Sequence, residues 1–295
     1  MKLFAYQISL ALLTCMACLP LKVIYFISDM VSFFLQHVIK YRRMVVRKNL
    51  RHAFPHKTVS ELRDIEKGFY QHLGDCLVET VKLLHVSDRT LRKRIQVENT
   101  ELINKLAQDN HSFIILLGHY GNWEWVQEVT HHYTRPSINA EIYHPAKNEV
   151  FDRIMVKIRS RFNTIQIPQN RAIKTLLRYQ KQGCQFLVGF ISDQRPDSSH
   201  LHHWETFLLQ DTPYVVGGEE LGMRINAHFI YLDIQKKQRG HYVFTFKQLE
   251  PCKDEKPHPY TRAFLKMLED TITRNPKYWL WSHDRWKYKR TLQTL

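Results

Sequence analysis

The hydrophobic and polar positions divide the chain into an apolar front and an alternating body. No charged residue occurs in 3–21, and 23–38 is mostly apolar again, interrupted by Asp29. The first run is near the length that crosses hydrocarbon, although Gln7, Ser9, Thr14 and Pro20 weaken it as a free-standing span. Over 58–84 the apolar positions Leu62, Ile65, Phe69, Leu73, Cys76 and Leu77 recur at helical spacing, with Thr58 placed to cap. Residues 87–105 are charged and predict helix in pieces, Ser87 being a cap candidate. Two short unbroken apolar runs, 112–118 and 185–192, predict strands covered on both faces. Between and after them the pattern predicts helices over 122–131, 148–162, 171–180 and 260–273. Further strands are predicted over 138–143, 227–234 and 241–248, the last two separated by a turn at 236–240. Strands alternating with helices predict an α/β fold with a mixed, mostly parallel sheet flanked by helices.

Charge changes the reading of the apolar front. Lys40, Arg42, Arg43, Arg47, Lys48 and Arg51 follow it directly, a cluster that favours the cytoplasmic side and anionic headgroups. An N-terminal apolar helical anchor, spanning the bilayer or lying in its interface, is therefore expected over 1–55 together with its basic flank, and a folded domain over 56–295. A cleaved signal peptide fits less well, because the apolar character continues past any cleavage point. The chain as a whole holds 43 Lys+Arg against 28 Asp+Glu, a formal charge of +15, which implies an anionic partner. Only 10 glycines are present, with no phosphate-binding loop of the GxxxxGK or GxGxxG kind. Five cysteines at unrelated spacings make no disulfide framework, and the Cys15–Cys18 pair sits in an apolar run that suits neither metal nor redox chemistry. His200, His202 and His203 have no acidic or Cys partner at fitting spacing, so no metal and no cofactor is expected.

The candidate chemistry is the segment Gly118-His119-Tyr120-Gly121-Asn122-Trp123-Glu124-Trp125, directly after the first buried strand. On one ideal helix His119 and Glu124 would point about 140° apart. A turn at Gly121, with Asn122 capping the next helix, would let them meet in the loop where open α/β sheets place their sites. Glu124 would then accept from one imidazole nitrogen and leave the other to take a proton from a hydroxyl. No GxSxG elbow is present, which favours direct attack by a substrate alcohol over an acyl-enzyme.

Several segments in order resemble the bacterial lipid A acyltransferases of the late, lauroyl or myristoyl type, in the lysophospholipid acyltransferase superfamily. Arg47-Lys48-Asn49-Leu50-Arg51-His52-Ala53-Phe54-Pro55 is similar to the family's NL-x-x-x-FP segment. His-x4-Glu follows at 119–124, then Tyr143-His144-Pro145-Ala146-Lys147-Asn148, Asp152, and the Arg-x-Arg of Arg159 and Arg161. Ser192-Asp193-Gln194 resembles its DQ or DH at a strand end. Trp279-Leu280-Trp281-Ser282-His283-Asp284-Arg285-Trp286-Lys287 resembles its W-x-W-x-H-x-R-W. The chain departs from the pattern at Trp125, where a smaller apolar residue is common, at His144 in place of Arg, and at Asn163 in place of Gly.

The resemblance implies an acyltransferase-like fold and transfer of a fatty acyl group from acyl carrier protein to a hydroxyl of a lipid A precursor or similar lipid. It implies His119 as general base with Glu124 as its partner. Arg159 and Asp193 would be substrate-binding residues, Arg159 holding a phosphate and Asp193 pairing with an arginine or positioning the site. The expected location is the cytoplasmic face of the inner membrane. Two readings from other classes compete: a basic nucleic-acid-binding protein, with Trp279, Trp281 and Trp286 stacking bases, and a non-catalytic membrane scaffold. The aromatic-basic C-terminus suits a membrane interface better than nucleic acid, which is not expected as a partner.

Overall fold

A computed structural model describes residues 2–133 and 138–290. Its centre is a seven-stranded sheet in the order β1-β9-β8-β2-β5-β3-β4. The strands are β1 (Ile95–Glu98), β2 (Phe113–Leu117), β3 (Ile138–Tyr143), β4 (Thr164–Pro168), β5 (Phe186–Ile191), β8 (His228–Gln238) and β9 (His241–Gln248). All neighbours run parallel except the β8–β9 hairpin, so the sheet is mixed and mostly parallel, as the pattern predicts. The unbroken apolar run FIILL of β2 is buried at every position, because helices cover both faces of the central strands. A small antiparallel hairpin, β6 (Trp204–Phe207) with β7 (Gln210–Pro213), stands apart.

Among the described residues ten α-helices surround the sheet: α1 (Lys2–Cys18), α2 (Leu21–Phe33), α3 (Arg43–Ala53), α4 (Val59–Lys82), α5 (Asp88–Arg92), α6 (Thr100–Leu106), α7 (Glu149–Arg159), α8 (Ala172–Lys181), α9 (Gly217–Arg224) and α10 (Pro259–Arg274). Thr58 starts α4 with a reciprocal cap: its hydroxyl accepts from Glu61 N, and Glu61 accepts from Thr58 N. Asn148 caps α7 by accepting from Val150 N and Phe151 N. The expected helix within 87–105 is interrupted by β1, and β4, β6, β7 and α9 are additions to the predicted elements.

The apolar front is two helices broken at Leu19–Pro20, since Pro20 has no N–H to continue α1. The candidate span over 3–21 is therefore replaced by 21–38, where α2 runs into a short π-helical turn; this is the one described segment long and apolar enough to cross a membrane. It does not stand free. Ser28 Oγ donates to Asp75 on α4 at 2.7 Å, and Asp29 pairs with Arg239 at the β8–β9 turn. Its other side leaves Val23, Phe26, Met30 and Phe33 exposed, and Phe4 and Leu12 of α1 are exposed as well.

Candidate active site

Strand register assembles the site. Leu117 of β2 lies opposite Ile191 of β5, and each strand ends there. Two residues further on, His119 and Asp193 stand side by side at the carboxyl end of the sheet. His119 Nδ1–H donates to Asp193 Oδ1 at 2.6 Å, and His119 N donates to Asp193 Oδ2 at 2.9 Å. Trp279 Nε1 completes the carboxylate at 2.7 Å. Gln194 Nε2 donates to His119 Nε2 at 3.3 Å, which marks that nitrogen as the acceptor. Burial alone would push the Asp193 carboxyl up; the charge and hydrogen bonds of His119, with Trp279, outweigh it and hold it below the usual carboxylate range. A buried carboxylate thus fixes the imidazole tautomer and stands ready to stabilise an imidazolium.

This differs from the expected His119–Glu124 pairing. Gly121 does supply the turn, at φ +60, where an added Cβ would lie 2.5 Å from Ile234 Cγ2. Asn122 Oδ1 accepts from Trp125 N at 3.0 Å, and the helix that follows is a 3-10 helix, Trp125–His131. However, Trp123 sits between the two side chains: its ring is 5.2 Å from that of His119, edge to face, and its Nε1 donates to Glu124 Oε1. Glu124 turns instead to α7, where Arg159 holds it bidentately, Nε to Oε2 at 2.9 Å and Nη2 to Oε1 at 2.6 Å. Burial would lower the Arg159 pKa, but Glu124's hydrogen bond and charge raise it above its ordinary value. Asp193 therefore pairs with His119 rather than with an arginine, and Arg159 pairs with Glu124.

The other motif segments take clear places. Arg161 donates to the Leu83 and Val86 carbonyls and anchors the end of α4. Asp152 accepts from Ala146 N and shapes the segment before α7. Asn49, fully buried on α3, donates to the carbonyls of Trp281 and His283, so the first and last motif segments meet. Trp279, Trp281 and Trp286 are buried, with Trp281 donating to Pro276 O and Trp286 to Thr212. They are core, and neither stack bases nor form an interfacial belt. Arg285 is fully buried, its three nitrogens have no hydrogen-bond partner among the described residues, and burial pulls it down to about 10. Trp125 is fully buried and donates to Glu79 O at 3.0 Å, which accounts for its bulk. Asn163 has φ +56, a left-handed position that Gly or Asn fills. His144 is exposed on a cleft of ≈ 950 Å³ at the ends of β3 and β5, lined also by Tyr143, Phe190, Ser192, Val215 and Leu221. A narrow, mostly apolar crevice lies behind the 3-10 helix, between Leu117, Val126, Ile191, Leu232 and Phe246.

Residues with roles that the motif did not assign are Gln194, Trp123, Trp279 and Glu79. Trp123, Gln194 and Trp279 lie within the motif segments; Glu79 carries no local signal. His200, His202 and His203 form no metal-ligating group among the described residues. The group with suitable spacing, Asp109, His111 and His228, lies at the opposite end of the sheet, with His228 already paired to Asp109 at 2.7 Å.

Residues 2–288 match the sequence model of the bacterial lipid A biosynthesis acyltransferase family. The chain is 23% identical over 273 residues to the lipid A biosynthesis palmitoleoyltransferase of Escherichia coli K12, covering 91% of this chain and 86% of that protein. It has the same identity and coverage with a lipid A biosynthesis acyltransferase of Shigella flexneri.

Proposed function

This chain belongs to the bacterial lipid A biosynthesis acyltransferase family, and on that premise we propose that it moves a fatty acyl group from acyl carrier protein to a hydroxyl of a lipid A precursor, with His119 as general base. The observation that carries this reading is the His119–Asp193 pair at 2.6 Å, with the second imidazole nitrogen, at the carboxyl end of the sheet, kept as an acceptor. The acceptor hydroxyl gives its proton to His119 Nε2 as its oxygen attacks the thioester carbonyl. The Asp193 carboxylate stabilises the imidazolium so formed. The tetrahedral intermediate expels the carrier thiolate, which takes the proton back from Nε2, and ester and thiol are released. Arg159, fixed by Glu124, offers a guanidinium to phosphate on donor or acceptor. The cleft at the ends of β3 and β5 carries apolar side chains, Ile142, Phe190, Ile191, Val215 and Leu221, that suit hydrocarbon. No cofactor takes part.

The apolar surface of α1 and α2 supports seating on a membrane, with the exposed Lys40, Arg42 and Arg51 beside it facing anionic headgroups. The cytoplasmic leaflet of the inner membrane is the proposed location, where carrier protein and lipid meet. The purified protein, given a lipid A precursor and either acyl–acyl carrier protein or acyl-coenzyme A, is assayed by mass spectrometry. The expected product gains one acyl mass with the carrier-linked donor. A gain with acyl-coenzyme A alone overturns the donor, and no gain on lipid A precursor with either overturns the acceptor.

A further inference from the structure

We propose that Glu79 is a positioning residue for acyl transfer: it fixes the turn bearing His119 and Glu124 and, through Tyr25, ties that turn to α2. This rests on the assignment of His119 as the base. Glu79 is fully buried on α4, yet among the described residues no lysine or arginine forms an ion pair with it; the neighbouring Lys236 is committed to Asp75 and His72. Three neutral donors satisfy it instead. Asn122 Nδ2 at 2.6 Å and Tyr242 Oη at 2.7 Å share Oε2, and Tyr25 Oη takes Oε1 at 2.8 Å. A buried carboxylate held by neutral donors is costly: burial raises its pKa against the opposing charge of Lys236, and an apolar side chain would pack there at less expense to stability.

What the carboxylate achieves is geometric. Asn122 gives its amide N–H to Glu79 and its amide oxygen to Trp125 N, so its orientation is determined at both ends. Trp125 in turn donates its indole N–H to the Glu79 carbonyl. Glu124 lies between these two held residues. One stripe of α4 thus grips the whole turn, because Cys76 and His72, one and two helical turns before Glu79, both donate to Gly121 O. On its other side the carboxylate holds Tyr25, and Tyr25 belongs to the helix whose opposite side is the exposed apolar surface. Tyr25, Glu79, Asn122 and Trp125 form one chain of contacts from the proposed membrane-facing helix to the reacting turn. An enzyme whose acceptor arrives in a membrane would gain by having its site set by the helix seated there.

Steady-state transfer from acyl–acyl carrier protein to lipid A precursor is measured for the full chain and for Glu79→Gln, Asn122→Ala, their combination, Tyr25→Phe and His119→Ala, with folding checked by circular dichroism. Misplacing a reacting group by about 1 Å costs on the order of 10²-fold, so Glu79→Gln and Asn122→Ala should each lower kcat by ~10- to 10²-fold, with both KM values within about twofold. The combination should lose no more than the worse single variant, because both act through one contact. Tyr25→Phe should lower kcat alone, by about threefold, in line with loss of one hydrogen bond. Unchanged kcat in folded Glu79→Gln or Asn122→Ala, or multiplied losses in the combination, overturns the positioning role; unchanged kcat in Tyr25→Phe overturns the tie to α2. Should Glu79→Gln not fold, Asn122→Ala decides, since it leaves the carboxylate with both tyrosines. Retained turnover in His119→Ala strikes the base assignment itself, whereas an inactive His119→Ala beside a fully active Glu79→Gln strikes the positioning role alone.

Discussion

His283 shows how a single side chain near the site reports on folding. Its Nε2 accepts from Arg195 N at 3.3 Å, which requires the neutral ring, and burial together with the Arg195 charge pulls it down to about 4. An unfolded histidine titrates near 6.5. Between these values the unfolded chain binds a proton that the folded one resists, so this contribution is complete above pH ~6.5 and is lost as pH falls toward ~4. It amounts to about 2 kcal/mol once partial exposure is discounted. Tm measured from pH 7 to pH 4.5 should fall more steeply for the wild type than for His283→Asn. Parallel curves would show that the ring is not held neutral. Of the four residues that the sequence singles out, the structure joins His119 to Asp193 and Glu124 to Arg159. Their pairing was not legible, because it depends on β2 lying beside β5 and on Trp123 filling the space between His119 and Glu124. Five positions of spacing carry no record of either.

At the scale of elements, legibility follows burial. The central strands β2 and β5 were readable because both faces are covered and the run is uniformly apolar. The sheet-edge strands β1 (IQVE) and β4 (TIQIP) are four and five residues long and mix polar with apolar positions, so they gave no period to recognise. The front helices were legible as apolar but not as a pair, since the fold of 3–38 is decided by Pro20 and by polar contacts to distant residues such as Asp75 and Arg239. Those contacts hold α2 along the body with one side apolar, a geometry suited to lying in the interface. Each large apolar side chain buried is worth ~1.5–3 kcal/mol. Phe26→Ser with Met30→Ser, both at exposed positions, should therefore weaken sedimentation with anionic phospholipid vesicles by at least tenfold while Tm stays within a few degrees. Undiminished vesicle binding by the double variant would remove this surface from the membrane contact.

The molecule as a whole places a sheet-end site next to an apolar two-helix surface, under an excess of positive charge that suits acidic carrier protein and anionic lipid. Its terminal motif segments are brought together by Asn49, and of the buried tryptophans behind them Trp279 holds Asp193, with Trp281 and Trp286 packed against it. In the proposed mechanism all of this serves the reactivity of one imidazole nitrogen. The most direct test is the rate of acyl transfer in folded His119→Ala, Asp193→Asn and Glu124→Gln proteins across pH 5 to 9. General-base assistance is worth ~10²–10⁴-fold, so His119→Ala should lose at least ~10²-fold in kcat at every pH. Asp193→Asn should lose a comparable factor and alter the acidic limb of the profile, because the imidazolium loses its carboxylate. Glu124→Gln should weaken substrate binding through Arg159 while leaving that limb where it is. Near wild-type turnover in His119→Ala, or a limb moved by Glu124→Gln and unmoved by Asp193→Asn, would contradict the His119–Asp193 base.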